Sequence, residues 1–248
     1  MKKRRKIWIT VCFLLALWGC QQEEEKEEKK DPQEEFYAYE IYMDEQGEEA
    51  VCIQKYLGNE LEVRVPEELE EKPVRKLGEE VFEAVYEVIL PDSLYEIGEE
   101  AFFGSTVKKV HMGEGIKKIG QSAFKDCYLL EEVRTPHSQE GLSSLPHSIE
   151  EIGAEAFRDC WSLRGMELPK NVLRISSYAF SKCIQLEKVI IHEQTEEVEY
   201  AAFSGCFNLK EVEIKGEGLK RVGTTSFEDC PLLKTVPLPP GAVYEEGF

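Results

Sequence analysis

The chain has 248 residues, 49 acidic against 30 basic side chains, 42% hydrophobic residues and eight cysteines. Its length suits one domain of about 200 residues or two small ones, its apolar fraction excludes wholesale disorder, and its 32% charged residues exclude a multi-span membrane protein. A formal charge of −19 argues against nonspecific nucleic-acid binding, which needs clustered Lys and Arg.

Residues 1–19 read as a secretory leader. Lys2, Lys3, Arg4, Arg5 and Lys6 form a basic head before an apolar run from Ile7 to Trp18. Twelve residues at about 1.5 Å each reach about 18 Å, short of the ~30 Å hydrocarbon core, so a signal peptide fits and a membrane span does not. Leu17-Trp18-Gly19-Cys20 resembles the bacterial lipoprotein processing box, in which a small residue precedes a lipidated Cys. That resemblance implies lipidation at Cys20; Trp18 departs from the usual small or β-branched residue. Ordinary signal cleavage wants small residues at −1 and −3, a test that Leu17 fails. Residues 20–35 follow as an acidic tether, QQEEEKEEKKDPQEE after the Cys, with no apolar side chain to pack on a core. Fifteen flexible residues reach about 20 Å, so the folded part would stay close to the membrane.

Residues 36–73 read as a β-meander cap: Tyr39/Ile41, Val51/Ile53 and Leu61/Val63/Val65 alternate between turns at Asp44–Gly47 and Gly58-Asn59. The stretch 74–239 reads as seven repeats. Phe82, Phe102, Phe124, Phe157, Phe180, Phe203 and Phe227 recur every 20 to 24 residues, with one interval of 33. A small or short residue precedes each, and an aliphatic residue (Leu77, Ile97, Ile119, Ile152, Ile175, Val198, Val222) stands five positions earlier. Gly78, Gly98, Gly120, Gly153 and Gly223 follow that aliphatic slot, where a turn with positive φ is expected. Alternating triplets such as Val110-His111-Met112, Met166-Glu167-Leu168 and Val236-Pro237-Leu238 read as short strands, and the Ala-Phe pairs as helical or 3-10 turns. One unit cannot bury its own apolar residues, whereas stacked units place each residue type in a continuous interior column.

The residue before the aliphatic slot runs Lys76, Glu96, Lys118, Glu151, Arg174, Glu197, Arg221, alternating in sign at every step. Parallel strands about 4.8 Å apart would bring these side chains together, so alternation favours the in-register stack. A second outward column, Glu87, Lys109, Glu132, Gly165, Lys188, Glu211, Thr235, also avoids like-charged neighbours.

The pattern I-x-x-I-G-x-x-A-F-x-x-C-x-x-L-x-x-V-x-L-P resembles the BspA-type leucine-rich repeat of bacterial surface proteins. Ile116–Pro136, Ile149–Pro169, Val172–Ile191 and Leu219–Pro239 match it closely, and the resemblance extends from Val74 to Leu238. The stacked units read as a right-handed leucine-rich repeat solenoid with short parallel β-strands, and the resemblance implies surface exposure and protein binding, often adhesion; it does not imply catalysis. Residues 240–248 read as a partial eighth coil, with Val243 in the aliphatic slot five residues before Phe248.

Cys127, Cys160, Cys183, Cys206 and Cys230 share one slot. Stacked side chains point in parallel, which leaves Cβ atoms too distant for disulfides, so the column reads as buried small hydrophobes. Cys52 in the cap reads likewise. No C-x-x-C pair or Cys/His cluster implies a metal, and no P-loop, nucleophile elbow or dinucleotide fingerprint implies a cofactor or a catalytic residue. His111, His137, His147 and His192 are scattered, and His137 and His147 flank an insertion of about ten residues that lengthens one repeat.

After the Cys slot stand Tyr128, Trp161, Ile184 and Phe207, where the family usually carries small or polar residues; a stack would align them into an apolar stripe fit to bind protein. Tyr178 and Tyr200 form a second aromatic pair two coils wide. The leading expectation is therefore a lipid-anchored extracytoplasmic module that recognises a protein or other surface macromolecule. The alternative is a structural subunit of a cell-envelope complex with no external ligand.

Overall fold

The structure, a computed structural model, describes residues 34–136, 138 and 142–246. The leader, Cys20, most of the tether, His137 and Phe248 lie outside the described residues.

Two strands open the chain. β1 (Tyr37–Met43) pairs antiparallel with β2 (Glu49–Tyr56), across a turn that Asp44 closes by accepting the amides of Gln46 and Glu48 at 2.9 Å. β3 (Glu62–Arg64), β4 (Glu68–Leu69) and β5 (Lys72–Leu77) follow. Each coil then contributes two short strands: β6 (Glu87–Ile89) and β7 (Glu96–Ile97), then β8 (Lys109–His111) and β9 (Lys118–Ile119), then β10 (Glu132–Arg134). The insertion carries its own β11 (Ser143–Ser144) before β12 (Glu151–Ile152). After these come β13 (Gly165–Glu167), β14 (Arg174–Ile175), β15 (Lys188–Ile191), β16 (Glu197–Val198), β17 (Glu211–Ile214), β18 (Arg221–Gly223) and β19 (Val243–Glu245). Strands of successive coils pair in parallel, giving a β-solenoid of about eight turns.

The core is a set of columns, as the repeat requires. Phe rings stack from Phe82 to Phe227 with centroids 4.7–5.4 Å apart. Tyr56 and Tyr37 continue that column forward at 6.0 and 5.5 Å. The alternating charges meet across the coils: Lys76 pairs with Glu96 at 2.9 Å, Lys118 with Glu151 at 3.2 Å, and Arg221 contacts Glu197. In the second column Lys188 reaches Glu211 at 2.8 Å, while at the front Glu62 stands in register with Glu87, two like charges side by side.

Cys127, Cys160, Cys183 and Cys206 are fully buried free thiols. Each donates its S–H to the carbonyl of the Phe one coil earlier, at 2.9, 3.2, 3.2 and 3.2 Å, and Cys230 does the same to Phe203 at 3.3 Å. Burial pushes the thiol pKa of the four interior members well up, so they carry no thiolate.

Four features differ from the sequence expectation. First, the Ala-Phe segments are not helical. Residues two before Phe (Glu100, Ser122, Glu155, Tyr178) and two after it (Asp126, Asp159, Lys182) have φ of +54 to +61°, which turns alternate amides along the solenoid axis. Thus Phe124 N–H donates to Ala156 O at 2.7 Å in the next coil, while Lys125 N–H donates back to Ser122 O at 3.0 Å. A helix points every amide one way and could not do this.

Second, the glycine after the aliphatic slot is not there for positive φ. At Gly120 and Gly153 an added Cβ would lie 2.6 and 2.5 Å from backbone atoms of the preceding coil, so close approach excludes a side chain.

Third, the front is a hairpin joined to an extra coil rather than a meander. β2 lies parallel on β5, and β3 parallel on β6, because Val51, Ile53 and Val63 fill the same inward columns as the repeats.

Fourth, the last coil is incomplete. Pro237 has no N–H to donate, and 236–238 forms no strand. β19 sets Tyr244, not Val243, beside Val222, and both side chains are about half exposed (48% and 50%), so this segment does not close the core.

The insertion adds a rung on one face alone. β11 pairs with β13, and Val133 N–H on β10 donates to Ser143 Oγ at 3.1 Å. On the other faces the flanking coils meet directly, Phe124 on Phe157 at 5.0 Å and β9 on β12. The face that carries β6, β8 and β10 therefore divides into two four-stranded sheets at this point.

Candidate functional site

The chain leaves the core at each Cys and returns at Leu130, Leu163, Leu186 and Leu209, all fully buried. Two residues between must face outward. Tight turns fix them: Tyr128 N–H donates to Asp126 O at 2.9 Å, Trp161 N–H to Asp159 O at 3.0 Å and Phe207 N–H to Gly205 O at 3.0 Å. Coil-to-coil bonds hold the turns in line, with Ser162 Oγ donating to Tyr128 O at 2.8 Å, Gln185 N–H to Trp161 O at 3.0 Å and Asn208 N–H to Ile184 O at 3.2 Å.

Tyr128, Trp161 and Phe207 are 42%, 43% and 50% exposed, and Ile184 is half-buried between them. The Tyr128 and Trp161 rings touch, with centroids 4.3 Å apart and planes tilted by 48°. Their polar tips are tied down: Tyr128 Oη donates to Asp126 Oδ1 at 3.1 Å and Trp161 Nε1 to Asp159 Oδ1 at 3.0 Å. The Asp126 carboxylate, as acceptor of that bond, raises the Tyr128 pKa. Both rings are thus immobilised with a face turned to solvent.

The two aromatic groups separate in sequence are one surface. The other oxygen of Asp159 meets Arg158 Nε at 3.4 Å, and Arg158 lies 5.4 Å above the Tyr178 ring. Tyr178 meets Tyr200 edge-on at 5.3 Å. Glu155 anchors the guanidinium at 3.2 Å and takes Lys125 Nζ at 2.5 Å; the lysine hydrogen bond, above all, lowers its carboxyl pKa. The link through Arg158 and Asp159 is spatial and escapes a reading of columns. One signal was present: the coils with a polar-tipped ring carry Asp two residues earlier, whereas Phe207 follows Gly205 and Ile184 follows Lys182.

The described histidines do not gather at one site, because His111 stands apart from His192. His111 lies 2.7 Å from Glu87, and His192, 3% exposed at its side chain, lies 3.1 Å from Glu167 on a separate sheet. Among the described residues no group of three or more His, Cys, Asp or Glu could hold a metal ion, and no helix is long and apolar enough to cross a membrane.

A family model described as the BspA type leucine rich repeat region matches in six copies over residues 68–144 and 141–244. Comparison with curated proteins finds no match. Among solved structures, a leucine-rich repeat protein of T. pallidum is 26% identical, with a TM-score of 0.67 over 83% of this chain and 91% of that one. A Eubacterium ventriosum leucine-rich repeat protein is 13% identical, with a TM-score of 0.39 over 82% of this chain and 90% of that one. The pneumococcal vaccine antigen PcpA is 17% identical, with a TM-score of 0.36 over 85% and 76%. The T. pallidum protein shares the coil stack across most of both chains; the other two superpose too loosely to bear on this one.

Proposed function

The chain belongs to the BspA type leucine-rich repeat family, and from that premise we propose that it is a non-catalytic, lipid-anchored, extracytoplasmic module that recognises a partner protein through its aromatic stripe. The carrying observation is that Tyr128, Trp161 and Phe207 stand exposed on a rigid ladder, with the two polar-tipped rings locked by their own aspartates. A repeat scaffold that spends no hydrogen-bond donor of these rings on solvent offers pre-ordered apolar area, the property that interface hot spots share. The leader, Cys20 and the acidic tether supply the address and the leash.

The test is capture by crosslinking on intact producing cells, with the full chain and its Trp161→Ser/Phe207→Ser variant. Wild type yields a crosslinked partner; the variant loses it while its circular dichroism stays unchanged. Retained capture refutes the stripe. Mass spectrometry of the N-terminal peptide checks the anchor separately, and an unmodified Cys20 refutes it.

A further inference from the structure

The insertion brings two imidazoles together. His147 follows β11 and His192 follows β15, and their rings meet edge-on with centroids 5.8 Å apart. His192 is pinned between two carboxylates, with Nε2 3.1 Å from Glu167 Oε1 and Nδ1 3.7 Å from Glu193 Oε2. Lys215 shares the Glu167 oxygen at 3.6 Å. His147 holds its Nδ1 away from solvent with no hydrogen-bond partner, while Asn171 donates to its backbone carbonyl at 2.8 Å. Lys170 and His192 act on His147 with positive charge, Glu167 and Glu114 with negative charge.

This contact lies beside the short rung that the insertion adds. β11 has two residues, a serine hydroxyl replaces a strand bond on its β10 side, and on its β13 side Leu145 N–H donates to Glu167 O at 3.2 Å. We propose that the His147–His192 contact forms an acid-sensitive joint, which frees residues 142–149 from the rung of Glu167 when His147 is protonated. Neutral rings pack edge to face. A proton on His147 faces Lys170 and the His192 ring, while Glu167 and Glu193 are already engaged by His192 and Lys215.

Burial, followed by the Lys170 and His192 charges, lowers the His147 pKa below the ordinary value. The released segment therefore binds more protons than the packed one. The contribution to stability is complete above the ordinary histidine pKa of about 6.5 and is lost as pH falls through the lower, packed-state pKa.

Hydrogen exchange of the full chain tests the joint at about pH 7.5 and about pH 5, with rates corrected for intrinsic exchange. In wild type, acidification lowers protection of peptides spanning 142–149 by about tenfold, while peptides around Phe180 change by less than about twofold. His147→Phe removes the pH dependence at 142–149, and His147→Gln, a smaller polar replacement, does so if the Phe variant is misfolded. Equal loss around Phe180, no loss at 142–149, or an undiminished loss in a folded His147 variant overturns the proposal.

Discussion

At Gly153 the backbone of one coil passes so close to the next that a methyl group has no room, with Gln121 N 2.5 Å from the site of a Cβ. Gly153→Ala is therefore expected to destabilise the protein by about 1–3 kcal/mol in urea titration, through a backbone shift transmitted to two coils. The contrasting substitution is Glu100→Gly. Glu100 holds a φ of +56°, which a glycine adopts without strain, and the expected change is within about 1 kcal/mol. Where the chain lacks this glycine it compensates: Ser176 donates Oγ to Ile152 O of the preceding coil at 2.6 Å. The thiol column is a comparable case, since a small apolar atom fills the interior while its weak donor meets a Phe carbonyl.

At the scale of the strand, position was legible because it repeats. The aliphatic slot, the charge before it and the outward triplet recur at one offset, and the structure pairs them in register, Lys118 with Glu151 and Ile119 with Ile152 among them. The alternation also sets a prediction. Lys118 lies in register between Glu96 and Glu151, which raise its pKa, the Glu151 hydrogen bond foremost. Lys118→Glu aligns three carboxylates, and the expected cost, a few tenths to about 1 kcal/mol, shrinks as salt is raised. A cost independent of salt would assign the effect to packing. What stayed hidden in the sequence was backbone handedness in the turns. Two residues before the Phe, positive φ falls on Glu, Ser, Tyr and Ala, types with no common signature; two residues after it stand Asp126, Asp159, Asp229, Gly104 and Gly205, a turn signal that the Ala-Phe pattern masked. The front coil was hidden for another reason: Tyr56 replaces Phe and stands three rather than five residues after its aliphatic residue Ile53, which breaks the offset by which a coil is recognised.

Across the whole molecule the two ends are unlike. The front is covered by β1, whereas the rear leaves Phe227, Leu233, Val236 and Leu238 only partly buried beneath a half-exposed β19. Repeat arrays lose coils from their weakest end, so amide protection is expected to be lowest in the coil of Phe227 and to rise by about tenfold or more toward Phe124, whose ring is fully buried. Uniform protection along the array would show an all-or-none unit. The stripe was legible at this scale as one slot in four coils, while its union with Tyr178 and Tyr200 was not, because Arg158 crosses between columns. The alternating charges have a last consequence for folding. A chain that skipped a single coil while winding would bring like signs into contact at that junction, and the error would be repelled there. Skipping two coils restores every opposite pair and goes undetected by charge. The insertion breaks that equivalence, because its added β11 stands between β10 and β13 and gives this one junction a rung that the described coils elsewhere in the array do not share.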